Sequence, residues 1–207
     1  SHQAHAALEY MLIQVEPGVC CPLTMSYAGA PVLSGQSEFK AFHDRLVTPD
    51  YDSSSRPWTE KSAVTMGMAM TEKQGGSDLR QVRTQAEPTS DGFVLTGHKW
   101  FCSAPMSDAF LMLAQAPEGL SCFFVPRWLP DGQRNGIELQ RLKDKLGNRS
   151  NASSEIELNQ AYAVLAGEPG RGIATIIEMV HHTRLDCAVA AAGLMRQAVA
   201  RAIHHTR

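Results

Sequence analysis

Residues 67–78 read G-M-A-M-T-E-K-Q-G-G-S-D, and the fold turns on how that stretch is read. Val64, Met66, Met68 and Met70 alternate with Thr65, Gly67, Ala69 and Thr71, the period of two that marks a strand. One face of that strand is small: Gly67, Ala69 and Thr71 leave room for a flat ring to lie close to the backbone. The strand runs into Gly75-Gly76-Ser77-Asp78. Two readings of this tetrapeptide stand side by side. It is a plain glycine hairpin turn, or its N–H groups converge on an anion with the Ser77 hydroxyl as a further donor.

The same period continues downstream. Val82, Thr84 and Ala86 alternate with Arg83, Gln85 and Glu87, and short apolar runs follow at 93–96, 110–114, 120–125, 137–139 and 156–158. Asp91-Gly92, Pro117-Glu118-Gly119 and Pro130-Asp131-Gly132 separate them as turns. Many short strands with regular turns predict an antiparallel barrel or sandwich over 62–166. Upstream the spacing is helical. Leu8, Met11, Leu12 and Val15 form one stripe, the start from Ser1 to Ala7 is already helix-like, and Pro17-Gly18 breaks the run before a second helix ending at Leu33. Residues 34–61 are polar and loop-like, with a short helix around Glu38 to Leu46. From Gly172 a long helix opens with Ile173, Ile176, Ile177 and Val180 and continues through Ala188, Ala191, Ala192 and Met195. The expected fold is α+β: a β-domain at 62–166, preceded by the end of a helical domain and a linker (1–61) and followed by the first helix of a further helical domain (167–207). Both ends read as cut from something longer.

Composition narrows the function classes. The 207 residues carry 19 Lys and Arg against 21 Asp and Glu, so no basic nucleic-acid arm is present, and no apolar run reaches membrane-spanning length. The five cysteines are odd in number and contain no C-x-x-C, which argues against a disulfide framework or zinc site and for a reducing, cytoplasmic compartment. His181-His182 and His204-His205 are adjacent pairs about 100° apart on a helix, so neither pair chelates one ion, and no metal site is expected. Arg141, Lys143, Lys145 and Arg149 are interrupted by Asp144 and read as a solvated hairpin face rather than a DNA stripe.

Two further stretches carry chemistry. Residues 97–103 read G-H-K-W-F-C-S; consecutive aromatics on a strand point to opposite faces, so either both are core or one covers a ligand ring. Residues 145–153 read K-L-G-N-R-S-N-A-S, in which Arg149 reads as a structural arginine of a hairpin.

In this order, T-E-K-Q-G-G-S-D, G-H-K-W-F-C-S and G-N-R-S-N-A-S resemble the acyl-CoA dehydrogenase family, whose patterns are T-E-P-x-x-G-S-D, G-x-K-x-W/F-I-S/T and G-x-R-x-S-x-T. Lys73 replaces the usual proline, and Asn151 and Ser153 replace the usual Ser and Thr. The G-R-G-I opening at Gly170 and Arg184 extend the likeness into the last helix. L-S-C-F-F-V-P-R and R-L-K-D-K-L-G-N-R-S-N-A-S are similar to the AidB-like, adaptive-response branch.

The resemblance implies FAD, held by Met68, Met70, Thr71, Gly76, Ser77, Phe101, Cys102 and Ser103. Thr71, with the Met70 and Thr71 backbone, would bond the isoalloxazine edge, Phe101 would cover the ring, and Ser103 would donate near N5. Ser77 and Arg184 would face an acyl-CoA or related thioester, although His181 stands where the family carries Asp. No catalytic base is assigned: Thr183 occupies the position that holds it in some members, and most carry it beyond residue 207. The resemblance further implies a homotetramer in the full-length protein, with neighbouring parts completing the FAD site. It implies a role in protecting DNA from alkylation, with duplex DNA bound by a C-terminal domain absent here and dehydrogenase activity weak or vestigial. The alternative is an active dehydrogenase that removes the α-proton of an acyl-CoA while FAD takes the β-hydride.

Overall fold

Seven strands wind into a barrel in the computed structural model, which describes residues 2–207; Ser1, read with the helix-like start, lies outside them. The strands are β1 (Met66–Ala69), β2 (Gln85–Pro88), β3 (Phe93–Ser103), β4 (Ala109–Ala116), β5 (Gly119–Pro126), β6 (Ile137–Leu142) and β7 (Ser153–Ala166). Pairing runs β4-β2-β3-β7-β5 and returns to β4, which closes a ring; β1 adds to β4 and β6 to β7. Closure leaves few bare edges, the reason short strands can persist here. One expectation needs correcting. The sheet is not purely antiparallel, because β1 runs parallel to β4 and β2 meets β4 through a parallel bridge at Gln85 and Gln115. These strands are separated in the chain by others, and only directly joined hairpin partners are bound to be antiparallel.

Two bulges shape the long β3–β7 ladder, at Leu95/Gly97 and Lys99/Cys102. On β7, Ile156 and Leu158 face the core, and then the alternation flips to Ala161 and Ala163 across Gln160, whose φ is 48°. Methionine, phenylalanine and alanine from both barrel faces form two cores. Met66, Leu111, Leu113 and Phe124 look toward the helices, and Phe110, Met112, Phe123 and Ile156 fill the barrel.

Four helices lie outside: α1 (His2–Leu12), α2 (Cys20–Leu33), α3 (Lys40–Leu46) and α4 (Gly172–His205). Phe39 and Phe42 pack on Phe124 at ring distances of 5.1 and 4.9 Å and fix α3 to β5. The helical stripes read from sequence are partly reversed. On α1, Leu8, Met11 and Val15 beyond its end are exposed, whereas Glu9 and Ile13 are buried. On α4 the buried face runs through Ile176, Met179, Thr183, Asp186 and Gly193, while Met195 is exposed. The reason is that α1 docks on α4 through polar side chains, which hydrophobic periodicity does not register.

Candidate functional site

The first two motif stretches meet through a buried ion pair. Lys99 Nζ lies 2.7 Å from Glu72 Oε1, and both side chains are fully buried. Glu72 also accepts from Arg83 N (2.8 Å), Thr84 N (3.2 Å), Thr84 Oγ1 (2.6 Å) and Gln74 Nε2 (2.7 Å), and Lys99 donates to Leu113 O (2.8 Å). Burial alone would raise the Glu72 carboxyl; the Lys99 ammonium and these donors outweigh it and hold it at about 2. Lys61 and Asp108 form a second bolt, at 2.8 Å, below the start of β1.

The Gly75-Gly76 segment is a turn. Glu72 and Gly75 exchange backbone hydrogen bonds of 3.2 and 3.0 Å, so the Gly75 N–H is committed and does not await an anion. Asp78 caps the next short helix by accepting from Arg80 N at 3.2 Å. Gly76 serves its neighbour: a Cβ there would come within 2.5 Å of Thr71 Oγ1.

The bulge in β3 corrects the reading of the aromatic pair. Two residues, Trp100 and Phe101, stand opposite the single Glu155, so Lys99 and Cys102 both turn inward and both rings turn outward. Lys143 Nζ sits 3.6 Å from the Trp100 ring centre and 4.3 Å from that of Phe101. The rings nonetheless serve different surfaces. Phe101 lines a cleft, and Trp100 lies beside Lys73, His98 and Glu155.

That cleft, about 420 Å³, lies between the barrel, α2 and α4. Of the residues expected to hold a cofactor, it brings together Met68, Met70, Thr71, Phe101 and Ser103. It does not bring in the others. Cys102 is buried in the barrel core, where its carbonyl accepts from Ser154 Oγ. Gly76 and Ser77 lie on the turn outside the cleft, and Arg184 is exposed on α4 away from it. The reason for Arg184 is helical phase: Thr183, Asp186, Cys187 and Ala190 are the α4 residues on the cleft. The residues fit a flavin. Phe101 shows 44% of its surface, a large ring held open on a strand, and the Thr71 hydroxyl has no protein partner among the described residues.

Among the lining residues that sequence reasoning missed, Glu9 and Thr24 border both this cleft and a second one lined by His5 and Tyr27, and Asp186 bonds to His5 and Thr24 between them. Burial, with the Asp186 carboxylate beside it, pushes the Glu9 carboxyl up to about 7. His5 and Glu9 are one turn apart on α1, the only signal the sequence offered; Asp186 is far away in the chain.

Residues 67–161 match the family model for the acyl-CoA dehydrogenase middle domain, and residues 1–53 match that for the adaptive response protein AidB N-terminal domain. The chain belongs to the acyl-CoA dehydrogenase family. It is 51% identical over 205 residues to AidB of Escherichia coli (strain K12), a match that takes in 98% of this chain and 38% of that protein. Among solved structures, Caenorhabditis elegans ACDH-11 in complex with C11-CoA superposes with a TM-score of 0.75 at 34% identity, over 86% of this chain and 32% of that one. Butyryl-CoA dehydrogenase from Megasphaera elsdenii shares the fold with a TM-score of 0.79 at 21% identity, over 97% of this chain and 51% of that one. The chain thus spans well under half of the curated relatives it matches. Among the described residues, no helix is long and apolar enough to cross a membrane.

Proposed function

We propose that this chain is the flavin-cradling part of an AidB-type acyl-CoA dehydrogenase-like protein, acting in the response to DNA alkylation with little dehydrogenase turnover. The observation that carries it is the cleft where Met68, Met70, Thr71, Phe101 and Ser103 converge beside α4. Bound there, FAD supplies a two-electron acceptor. Met68 and Met70 give it an apolar floor, Thr71 offers an uncommitted hydroxyl to a ring edge, and Phe101 covers a face. Ser103 Oγ, 3.3 Å from Ser153 Oγ, is held by its neighbour at the cleft wall. Thr183 faces the same cleft with its hydroxyl committed to Val180 O at 3.0 Å, so it accepts no substrate proton. Thr183 therefore supplies no base for α-proton removal, a step that needs a group of suitable pKa in reach.

A DNA-protective role for the full-length protein, its homotetrameric assembly and DNA binding outside these residues are supported by the likeness to AidB. The C11-CoA complex of ACDH-11 favours a second reading, an acyl-CoA-oxidising enzyme. Anaerobic mixing of the FAD-loaded full-length protein with acyl-CoAs of graded length separates the two. We expect the flavin absorbance to stay oxidised over many minutes; complete bleaching within seconds supports the enzyme instead. A protein that stays colourless through an FAD titration ends both readings.

A further inference from the structure

Among the described residues, the one buried side chain of helix α1 is a carboxylate, Glu9, with His5 one turn before it. His5 Nε2 lies 3.0 Å from Asp186 Oδ2 and 3.6 Å from Glu9 Oε2, and the three ligand atoms all fall within 4.8 Å of one another. Glu9 is 8% exposed, and its Oε2, aimed at this point, has no hydrogen-bond partner among the described residues. Thr24 Oγ1 donates to Asp186 Oδ2. His5 is held in orientation by stacking on Tyr27, with ring centres 3.6 Å apart and 9° between planes.

We propose that His5, Glu9 and Asp186 form a three-ligand site for a divalent transition-metal ion, Zn2+ by ligand type, bridging α1 to α4 in the wall between the two clefts. One imidazole nitrogen and two carboxylate oxygens are the donor set that such ions take. The spacing agrees. Ligands at about 2.0 Å in a tetrahedron stand about 3.3 Å apart, and the two closest approaches here bracket that value. Two buried carboxylates ionised together against one imidazole would carry an excess of negative charge, which a divalent cation would cancel. Three protein ligands leave the fourth position for water or a small donor, and the Thr24 hydroxyl orients the Asp186 carboxylate by donating to its Oδ2. The i, i+4 spacing of His5 and Glu9 presents both from one face of α1, so the ion would also fix the approach of the two helices.

The test is metal uptake by the chelator-treated protein, independent of flavin. Isothermal titration with ZnCl2 should saturate at one equivalent per chain, with a rise in Tm of several degrees at excess metal. Co2+ should give visible d–d bands. His5→Ala, or the shape-preserving Glu9→Gln where Asp186→Asn fails to fold, should weaken binding on the order of 100-fold or more. His204→Ala/His205→Ala should leave it unchanged. The absence of saturable binding overturns the proposal, as does binding that survives His5→Ala and Glu9→Gln. If Glu9→Gln raises the Tm of a protein that takes up no metal, the two carboxyls share a proton instead.

Discussion

Glu72 and Lys99 form an ion pair 2.7 Å long in the barrel interior, and each belongs to a different motif stretch. Removing one partner strands the other's charge away from water. Lys99→Met should therefore cost about 3–5 kcal/mol of stability, read as a lower denaturant midpoint. Glu72→Gln/Lys99→Met should recover part of the loss, because no charge is left buried and the amide oxygen, standing for Oε1, still accepts from Thr84 N and Oγ1. A single variant as stable as the parent would show the pair to be dispensable.

The same carboxylate sets an acid limit. Its folded pKa, about 2, lies below the ordinary glutamate value of 4.5. A depressed carboxylate contributes stability above its unfolded pKa and loses that contribution as pH falls through the folded one. Glu72 therefore gives its full share above about pH 5 and surrenders it between about 4.5 and 2. Urea midpoints across that window should fall for the parent. In Lys99→Met the part due to this pair should vanish, and an unchanged slope would assign the acid sensitivity elsewhere.

Phe101→Ala should weaken FAD more than Trp100→Ala, since Phe101 borders the cleft and Trp100 does not. Ring stacking is worth on the order of 1 kcal/mol beyond the area lost, roughly fivefold in Kd. Fluorescence titration of FAD into each variant measures the order. Loss of flavin in Trp100→Ala with retention in Phe101→Ala would place the cofactor on the other side of the bulge.

Gly193→Ala should loosen the docking of α1 on α4. A Cβ at that position would sit 2.8 Å from the carbonyl oxygen of Tyr10 and 2.4 Å from Ile13 Cγ2. Alanine favours a helix by nearly 1 kcal/mol, but the backbone contact cannot yield without moving α1, and overpacking costs about 1–3 kcal/mol. A net fall in Tm is expected; a rise would mean that α1 adjusts freely.

These 207 residues should bind duplex DNA negligibly. Arg141 and Lys143 are both engaged by Glu155 at 2.9 Å, Arg149 by Asp144 at 3.3 Å, and Lys145 by Asn151 O at 2.6 Å. Phosphate neutralisation needs a continuous cationic face, which these paired side chains do not offer. Gel shifts at low and near-physiological salt decide it. Salt-sensitive binding by this chain equal to that of the full-length protein would move the DNA surface onto the barrel.

Much of the barrel was legible because alternation is a local signal: Val82, Thr84 and Ala86 are buried, as their spacing requires. The full length of β7 was not, because the flip across Gln160 interrupts the pattern. The outward turn of both Trp100 and Phe101 was hidden for the same reason; a bulge depends on the partner strand, which lies more than fifty residues on. Met68 to Thr71 and Phe101 to Ser103 were readable as motif positions. The roles of Glu72 and Lys99 within those motifs, and the meeting of His5 and Glu9 with Asp186, were not, because burial and distant pairing are products of the finished fold.

Strand β7 holds β3 along one edge and β6, then β5, along the other. A ribosome delivering this chain can complete the β4–β5 hairpin early, since its halves are adjacent. It cannot close the ring until residues 153–166 have emerged, and in the meantime β3 and β5 each carry a row of unsatisfied amides. The last strand made is thus the keystone of the first one able to aggregate, so slowed translation just upstream of Ser153 should lower soluble yield more than the same delay after Ala166.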